Sequence, residues 1–152
     1  MVEIEYVHGD ATRPVRPGTK IIAHVCNDIG KWGKGFVLAI SKRWAKPATL
    51  YKAMGHYRRG YVQFVDVESD VFVANMIAQE GIYKKNGKPP IRYDDLREAL
   101  KKVFEFAREK KASVHMPRIG CGLAGGKWSI VEKIIKDELS DKDIPVVVYD
   151  WP

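Results

Sequence analysis

Apolar residues occur along the chain in short segments, separated by residues that favour turns. Residues 4–7 alternate between apolar and polar side chains, which predicts a strand with one buried face. Residues 21–25 form a nearly continuous apolar run, which is typical of a strand buried on both faces in a mainly parallel sheet. Similar segments predict further strands at residues 61–67, 71–77, 113–116 and 145–149.

Helical spacing is clearest between residues 96 and 107. Apolar side chains there recur at steps that place them on one face of a helix, and they are Leu96, Leu100, Val103, Phe104 and Ala107. Three further helices are predicted at residues 36–44, 47–57 and 128–139, while residues 81–90 predict a polar loop. Strands therefore alternate with helices, which indicates a layered α/β fold with a largely parallel sheet.

The length and composition indicate one globular domain. The chain has 152 residues, of which 45% are hydrophobic and 30% charged, and no repeat or composition break divides it. We therefore predict a single domain over residues 1–152. No apolar run approaches the ~20 residues of a membrane span, and the acidic start is unlike a signal peptide. The chain has only two cysteines, Cys26 and Cys121, and we expect their thiols to be reduced. We therefore expect a cytoplasmic protein without membrane contact, and a monomer is the default expectation.

The chain is basic, with a formal net charge of +7 and a pI of about 9.4. Such a charge is typical of proteins that bind nucleic acid or another anion. The lysines are nevertheless spread along the sequence, as they would be on an ordinary solvated surface. The charge alone leaves both interpretations open.

Two glycine-rich loops each follow a predicted strand and precede a predicted helix. We call residues 27–36 the first glycine loop and residues 117–126 the second glycine loop. Glycines let a backbone approach a ligand closely, and the free amides at a helix start attract anions. Neither loop has the Gly-Lys-Ser/Thr ending of a Walker motif or fits the dinucleotide-binding pattern of a Rossmann fold. The placement predicts a phosphate-binding site of another kind.

Three segments of the sequence resemble the macrodomain family. The first glycine loop with the residues before it, His24–Phe36, is similar to the first phosphate loop of macrodomains, and Met116–Leu123 is similar to the second. Gly9-Asp10 matches the position that reads adenine. The similarity covers essentially the whole chain. It is closest to the branch with ADP-ribose 1''-phosphate phosphatases, terminal ADP-ribose protein glycohydrolases and Appr-1''-p processing proteins. It implies a three-layer α/β/α fold with a mixed, mostly parallel central sheet.

The resemblance also implies which residues bind ADP-ribose. Asp10 would accept a hydrogen bond from the adenine amino group, and Asn27 would contact the distal ribose. The backbones of residues 30–36 and 119–124 would hold the diphosphate, with Tyr149 and Trp151 beside the adenine. The expected ligand-binding residues are Gly9, Asp10, Ala11, Cys26, Asn27, Gly30, Trp32, Gly33, Lys34, Gly35, Phe36, Ile119, Gly120, Cys121, Gly122, Leu123, Ala124, Tyr149 and Trp151.

Several of these residues also have an ordinary structural explanation. Asp10 and Asn27 are residue types that commonly stabilise turns. Trp32 would serve either as a lid over the ligand or as an anchor that closes a loop. Tyr149 and Trp151 would close the core. Cys121 lies between glycines, where small size explains it better than a nucleophilic role, and His24 in an apolar strand is typical of a core histidine.

The catalytic positions of the glycohydrolase branch are not matched. That branch uses a lysine and an aspartate, where this chain has Gln79 and Ala124; neither can act as a nucleophile or a general acid or base. A shifted alignment would bring Lys84 or Lys85 to the position of that branch's lysine, in place of Gln79. The remaining catalytic candidates are Asp28, which could orient a water, and its neighbour Asn27. Alternatively, Asp28 is a cap or an ion-pair partner of Lys31 or Lys34.

Three functions therefore remain open at this stage. The first, which we prefer, is a hydrolase that acts on ADP-ribose 1''-phosphate or on ADP-ribosyl esters, including ADP-ribosylated protein or nucleic acid. The second is a module that binds ADP-ribose without chemistry, and the third is a nucleic-acid-binding protein. The sequence shows no His, Cys or carboxylate cluster with metal-ligand spacing, so neither a metal nor another cofactor is expected.

Overall fold

The computed structural model describes residues 1–151, which form one mixed six-stranded sheet. Across the sheet the strands lie in the order β1-β6-β5-β2-β4-β3, and only the β3–β4 pair is antiparallel. The strands are β1 (Glu5–His8), β2 (Lys20–Asn27), β3 (Val62–Glu68), β4 (Val71–Gln79), β5 (Ser113–Met116) and β6 (Val146–Asp150). Each coincides with a predicted strand to within two residues.

Four α-helices connect the strands within residues 1–151: α1 (Phe36–Arg43), α2 (Lys46–Ala53), α3 (Tyr93–Lys110) and α4 (Trp128–Glu138). A short 3₁₀ turn, Ser140–Lys142, follows α4. The predicted second helix was too long. It ends at Ala53 because Gly55 has a φ of 70°, in the left-handed region that favours glycine and stops a helix.

Helices cover both faces of the sheet, as the predicted three-layer α/β/α arrangement requires. The apolar stripe of α3 packs with α4 on one face, where Leu96, Leu100 and Val103 are fully buried. On the other face α1 and α2 contribute Ile40 and Tyr51 to a second cluster. The central strand β2 is buried on both faces, which confirms the expectation from its continuous apolar run. No helix within residues 1–151 is long and apolar enough to cross a bilayer.

The parallel pairing brings the strand ends that precede the glycine loops to a single edge of the sheet. Strands β1, β6, β5, β2 and β4 all run in the same direction. Their carboxyl ends therefore share one edge, where open α/β sheets bind ligands. The first glycine loop leaves this edge after β2 and the second after β5. The β1–β6 pair lies at one side of the sheet, and β4 lies on the other side of β2.

Two buried histidines make the fold sensitive to acid. Burial lowers the pKa of His24 to about 4, although its Nε2 lies 2.5 Å from the Asn75 Oδ1. Burial, with smaller contributions from the Lys20 and Arg16 charges, lowers the pKa of His115 to about 4. In the unfolded chain a histidine titrates near pH 6.5. Between these values the unfolded state binds more protons than the folded state, so stability falls as the pH drops from about 6.5 towards 4.

We therefore expect the urea midpoint of unfolding to fall steadily between pH 6.5 and pH 4.5. His24→Gln should flatten this dependence, because one buried group that resists protonation is gone. His56 is exposed, so His56→Gln serves as the matched control and should leave the dependence unchanged. An equal pH dependence in wild type and His24→Gln would contradict the assignment to His24.

Candidate functional site

The side chain of Asn27 shapes the first glycine loop from within. Its Oδ1 accepts hydrogen bonds from the backbone amides of Ile29 at 3.1 Å and Lys31 at 3.0 Å. Its Nδ2 donates to the Lys31 carbonyl oxygen at 2.8 Å. The Tyr51 hydroxyl lies 2.7 Å from the Asn27 carbonyl oxygen and 2.9 Å from Oδ1. The turn-stabilising explanation of Asn27 is thus observed, while its contact with a distal ribose stays a prediction.

Two tyrosines near the end of α2 form the floor of the same loop. Tyr51 is fully buried, and the Tyr57 hydroxyl donates to its carbonyl oxygen at 2.9 Å. Gly30, with a φ of 76°, lies directly against Tyr57: a Cβ placed there would be 2.9 Å from the hydroxyl oxygen. Sequence reasoning did not identify either tyrosine, because within the helix predicted at residues 47–57 both resemble ordinary core residues.

Trp32 is an anchor in this structure. Its side chain is only 9% exposed, and its Nε1 donates to the Ser41 Oγ at 2.9 Å. The ring meets His24 edge-on with the ring centres 5.3 Å apart. Nearby Cys26 is buried, and burial raises the pKa of its thiol. Of the two roles considered for Trp32, the structure shows the one that closes the loop.

The end of the first glycine loop presents unused amide donors. The backbone amides of Gly33, Lys34 and Gly35 donate to no acceptor within residues 1–151. Helix α1 begins directly after them at Phe36, and no side chain caps its start. Free amides at a helix start attract anions, because their N–H groups and the helix dipole both favour negative charge.

The second glycine loop is held closed by a backbone hydrogen bond. The Gly126 amide donates to the Gly120 carbonyl oxygen at 2.8 Å, and Ile91 donates its amide to the Ala124 carbonyl oxygen at 3.2 Å. This closure leaves the amides of Gly122 and Leu123 without an acceptor in the described part of the chain. The loop therefore offers a second set of donors.

The two glycine loops approach each other closely. A Cβ placed at Gly35 would lie 3.7 Å from the Leu123 Cδ1, and Leu123 is itself largely exposed. The free donors of both loops consequently lie on neighbouring segments at the carboxyl edge of the sheet. Ile119 is buried beneath the second loop.

The predicted adenine end lies beside β1 and β6. The Asp10 Oδ1 accepts from the Thr12 amide at 2.8 Å and the Thr12 Oγ1 at 2.7 Å, while its Oδ2 makes no hydrogen bond with residues 1–151. Tyr149 is only 3% exposed, and its hydroxyl accepts from the Val15 amide at 3.0 Å. Buried Ala11 packs against it. Trp151, just after β6, is 70% exposed. One carboxylate oxygen of Asp10 is thus available to a ligand. Tyr149, in contrast, mainly supports the backbone of the loop that contains Val15.

Asp28 is engaged by the protein on both carboxylate oxygens. Oδ1 accepts from the Gly81 amide at 2.8 Å, and Oδ2 pairs with the Arg59 guanidinium at 3.1 Å. The expectation of Lys31 or Lys34 as its ion-pair partner was wrong, because Arg59 approaches from the segment before β3. Arg59 also pairs with Asp95 at 2.8 Å, and its pKa is raised, with the hydrogen bond to Asp95 the largest cause. Arg59 was missed because only the tertiary fold brings it here.

Gln79 and Ala124, which stand where the glycohydrolase branch has its catalytic lysine and aspartate, have structural roles here. The Gln79 Nε2 donates to the Gly81 carbonyl oxygen at 3.0 Å, and Ala124 is buried. Burial raises the pKa of the Cys121 thiol, so it is less readily ionised to a thiolate. This agrees with small size as the explanation for Cys121.

Residues 81–90, predicted as a loop, form a hairpin. Lys85 and Lys88 exchange two backbone hydrogen bonds of 2.9 Å. Between them Asn86 and Gly87 have φ values of 52° and 75°, as in the type I′ turns that Asn-Gly favours. The Asn-Gly dipeptide was the sequence signal for this hairpin. Lys84 and Lys85 lie on it, away from the strand end where a catalytic lysine was considered.

One cleft of the protein lies away from both glycine loops. A cleft of about 470 Å³ at the amino-terminal edge of the sheet is lined by residues that include Arg16, Ser113 and Pro145, and it contains no residue of either glycine loop. Residues 1–151 contain no group of three or more His, Cys, Asp or Glu side chains placed to hold a metal ion.

Comparison with known proteins gives the same family as the motifs. The Macro domain family model matches residues 23–135. A macrodomain protein from Streptomyces coelicolor has 52% sequence identity and a TM-score of 0.86, covering 97% of this chain and 99% of that one. A Bacteroides thetaiotaomicron protein of unknown function has 58% identity and a TM-score of 0.96, covering 98% of both chains.

Curated relatives are more distant. Mouse chromodomain-helicase-DNA-binding protein 1-like is 33% identical over 98% of this chain, which spans only 18% of that protein's length. The ADP-ribose 1''-phosphate phosphatase of Candida albicans is 24% identical over 88% of this chain and 92% of its own. The family model, the close structural matches and the motifs agree: the chain belongs to the macrodomain family.

Proposed function

We propose that this protein binds ADP-ribose along the carboxyl edge of its sheet and hydrolyses ADP-ribose derivatives, with ADP-ribose 1''-phosphate as the preferred substrate. The observation that carries the proposal is the close approach of the two glycine loops, each of which has free amide donors, at the carboxyl edge of the sheet. The relatives named as ADP-ribose 1''-phosphate phosphatases support the choice of substrate. We also propose that the protein is a cytoplasmic monomer.

The geometry suggests how the ligand would lie. The diphosphate would accept hydrogen bonds from the amides of both glycine loops, and the free Oδ2 of Asp10 would accept one from the adenine amino group. The distal ribose would then point towards β4. In the reaction, a water oxygen attacks phosphorus, the bond to the ribose 1''-oxygen breaks, and that oxygen leaves with a proton. The amides would stabilise the charge that develops on the phosphoryl oxygens. Asp28, which also binds the Gly81 amide and Arg59, would orient the water through a remaining lone pair of its carboxylate oxygens.

Calorimetric titration with ADP-ribose tests the binding half of this proposal. We expect saturable heat, modest salt dependence and a large loss of affinity in Asp10→Ala. The absence of heat at millimolar ligand would refute it. A nucleic-acid-binding protein would instead show steep salt dependence and tolerate Asp10→Ala.

Phosphate release from ADP-ribose 1''-phosphate tests the catalytic half. We expect slow turnover in wild type and a decrease in kcat of about 10- to 100-fold in Asp28→Asn, because a neutral amide is a poorer acceptor for the attacking water. Asp28→Asn retains an oxygen that can accept from Gly81. Asp141 is exposed on the 3₁₀ turn, so Asp141→Asn is the matched control and should turn over normally.

The second candidate function is an ADP-ribose-binding module without chemistry. It is favoured by Gln79 and Ala124 at the positions where the glycohydrolase branch has its lysine and aspartate. Release rates equal to the protein-free blank for wild type, Asp28→Asn and Asp141→Asn, together with tight ADP-ribose binding, would establish this function instead.

A further inference from the structure

The cleft of about 470 Å³ at the amino-terminal edge of the sheet, which we call the basic cleft, lies where three parallel strands begin. Its lining includes Thr19, Ser113 and Pro145, which precede or begin β2, β5 and β6. These strands run away from the cleft towards the glycine loops. A cleft of this volume is typical of sites for small molecules, and the proposed ADP-ribose site does not include it.

Positive charge predominates around the basic cleft. Four cationic side chains line it, and they are Arg16, Arg108, Lys111 and Lys142. Within residues 1–151 the one carboxylate in this lining is Asp143, and it already pairs with the amino group of Met1. The excess of positive charge in a concave surface attracts anions.

Two of these cations have no partner in the described part of the chain. Arg16 and Lys111 form neither an ion pair nor a side-chain hydrogen bond with any of residues 1–151, whereas Arg108 pairs with Glu105. The dipole of α3 is an ordinary explanation for Arg108 and Lys111, because cations stabilise the end of a helix. That explanation does not apply to Arg16, which lies in the loop before β2.

A buried chain of hydrogen bonds ends at the basic cleft. The Tyr149 hydroxyl accepts from the Val15 amide at 3.0 Å and lies 2.7 Å from the His115 Nδ1. The His115 Nε2 in turn lies 2.7 Å from the Ser113 Oγ. Ser113 is only 4% exposed, yet it lines the cleft. The chain therefore joins the buried Tyr149 to the surface of the cleft.

The direction of the protons in this chain follows from its neutral histidine. Burial lowers the pKa of His115 to about 4, so the ring carries one proton at pH 7. If the Tyr149 hydroxyl donates to Nδ1, that proton is on Nε2 and is donated to the Ser113 Oγ. In the reverse direction the buried Tyr149 proton would have no acceptor within residues 1–151, which is costly. The first direction is therefore favoured.

The Ser113 hydroxyl then has its own proton left to donate. It makes no hydrogen bond other than that with His115 in the part of the chain that the structure describes. An anionic oxygen in the basic cleft would accept this proton, and the unpaired cations of Arg16 and Lys111 would balance its charge. A buried donor and two free cations thus line the same cleft.

The aromatic ring in the lining is already engaged. The Arg108 guanidinium lies 5.2 Å and the Lys142 ammonium 4.9 Å from the centre of the Phe104 ring. These cations compete with a nucleobase for the ring. The basic cleft consequently favours charged phosphate groups over a stacked base.

We propose that the basic cleft is a second anion site, which binds a chain of two or more linked phosphate groups. The Ser113 hydroxyl, Arg16 and Lys111 would hold its oxygens. Phosphates offer more acceptor oxygens for a given length than a chain of carboxylates, and the cations approach from separate elements. The same chemistry occurs in inorganic polyphosphate and in the phosphate tail of a nucleotide. The proposal is independent of the proposed function.

Titration with inorganic tripolyphosphate, followed by the NMR shifts of backbone amides, tests the proposal. Saturating ADP-ribose occupies the glycine loops, and the amides of Gly35 and Leu123 report on those loops separately. We expect saturable shifts at Lys111, Ala112 and Ser113, with a Kd below about 1 mM at low salt and weaker binding at high salt. If ADP-ribose does not bind, the proposed function fails, and the shifts at Lys111–Ser113 still test the basic cleft.

Matched variants separate the basic cleft from charge in general. Arg16→Gln/Lys111→Gln should bind tripolyphosphate at least about tenfold more weakly, with Tm and ADP-ribose affinity unchanged because both side chains are exposed. Lys42→Gln/Lys136→Gln removes the same charge from exposed positions at the ends of α1 and α4 and should bind as wild type does. No saturable shift at millimolar tripolyphosphate, or equal weakening in both variants, would overturn the proposal.

The role of Ser113 has a separate measurement that needs no substitution of a buried residue. The NMR shifts of the ring nitrogens of His115 should show the proton on Nε2. A proton on Nδ1 would overturn the assignment of Ser113 as a donor to the ligand.

Further ligands identify the chemistry that the cleft recognises. ATP binding with the affinity of tripolyphosphate supports recognition of the phosphate chain alone, and tighter ATP binding supports a nucleotide as the source of that chain. Equal binding of a tetraglutamate peptide, or shifts of the cleft amides with adenosine alone, would overturn the choice of phosphate.

Discussion

Replacing Asn27 with alanine is expected to lower the affinity for ADP-ribose by about 100-fold, or about 2.7 kcal/mol. Asn27 is buried, and its side chain makes three hydrogen bonds to the backbone of the first glycine loop. Without them the loop no longer holds its free amides in position. The partners left unsatisfied should also lower the free energy of unfolding by about 2–3 kcal/mol. Calorimetric titration and urea denaturation measure the two effects.

Asn27→Asp is the conservative comparison. A carboxylate still accepts from the amides of Ile29 and Lys31 but cannot donate to the Lys31 carbonyl oxygen. The ADP-ribose affinity of Asn27→Asp should therefore lie between those of wild type and Asn27→Ala. Should Asn27→Ala bind ADP-ribose as tightly as wild type, the loop would be set by other contacts and the role given to Asn27 would be wrong.

The second large effect is expected from Gly126→Ala. A Cβ at this position would lie 2.4 Å from the Gly120 carbonyl oxygen, a backbone atom that cannot move aside as a flexible side chain would. The second glycine loop would have to open and lose its closing hydrogen bond. We expect a loss of about 1–3 kcal/mol in unfolding free energy, a drop in Tm of about 3 °C per kcal/mol, and at least about tenfold weaker ADP-ribose binding, equivalent to 1.4 kcal/mol.

Gly122→Ala in the same loop provides the control. A Cβ at Gly122 would meet no atom within 4 Å, and its φ is not positive, so Tm should stay the same or rise slightly. Any loss of ADP-ribose affinity in this variant would then report a ligand close to the loop. If Gly126→Ala and Gly122→Ala have the same Tm, the hydrogen bond that closes the second glycine loop does not contribute to the stability of the protein.

The sequence was sufficient to predict the layered fold because its periodic signals are strong. The stripe from Leu96 to Ala107 and the apolar run in β2 each have a single consistent interpretation, and both elements are buried as expected. Errors occurred where a single residue ends an element, as Gly55 does after α2. The mixed sheet was predicted from the family resemblance alone. The alternation of apolar and polar residues in β3 does not indicate whether the strand runs parallel or antiparallel to its neighbour.

The backbone of the candidate site was predictable, but its supports were not. Glycines and a following helix mark both loops in the sequence. Tyr51 and Arg59, in contrast, reach the first glycine loop from 24 and 31 residues away along the chain, and neither carries a local signal of that role. The ion pair of Asp28 was misassigned for the same reason: sequence neighbours were considered, whereas the fold supplied a distant arginine.

The donors proposed to hold the diphosphate belong to the main chain, and this has a consequence for how the protein can change. Amide groups are present whatever side chain a residue carries. Exposed positions such as Lys34 and Leu123 can therefore vary while the donors persist, and selection acts instead on the residues that fix the backbone path. Specificity for what is attached to ADP-ribose is then free to evolve outside these loops, independently of the part that recognises the nucleotide.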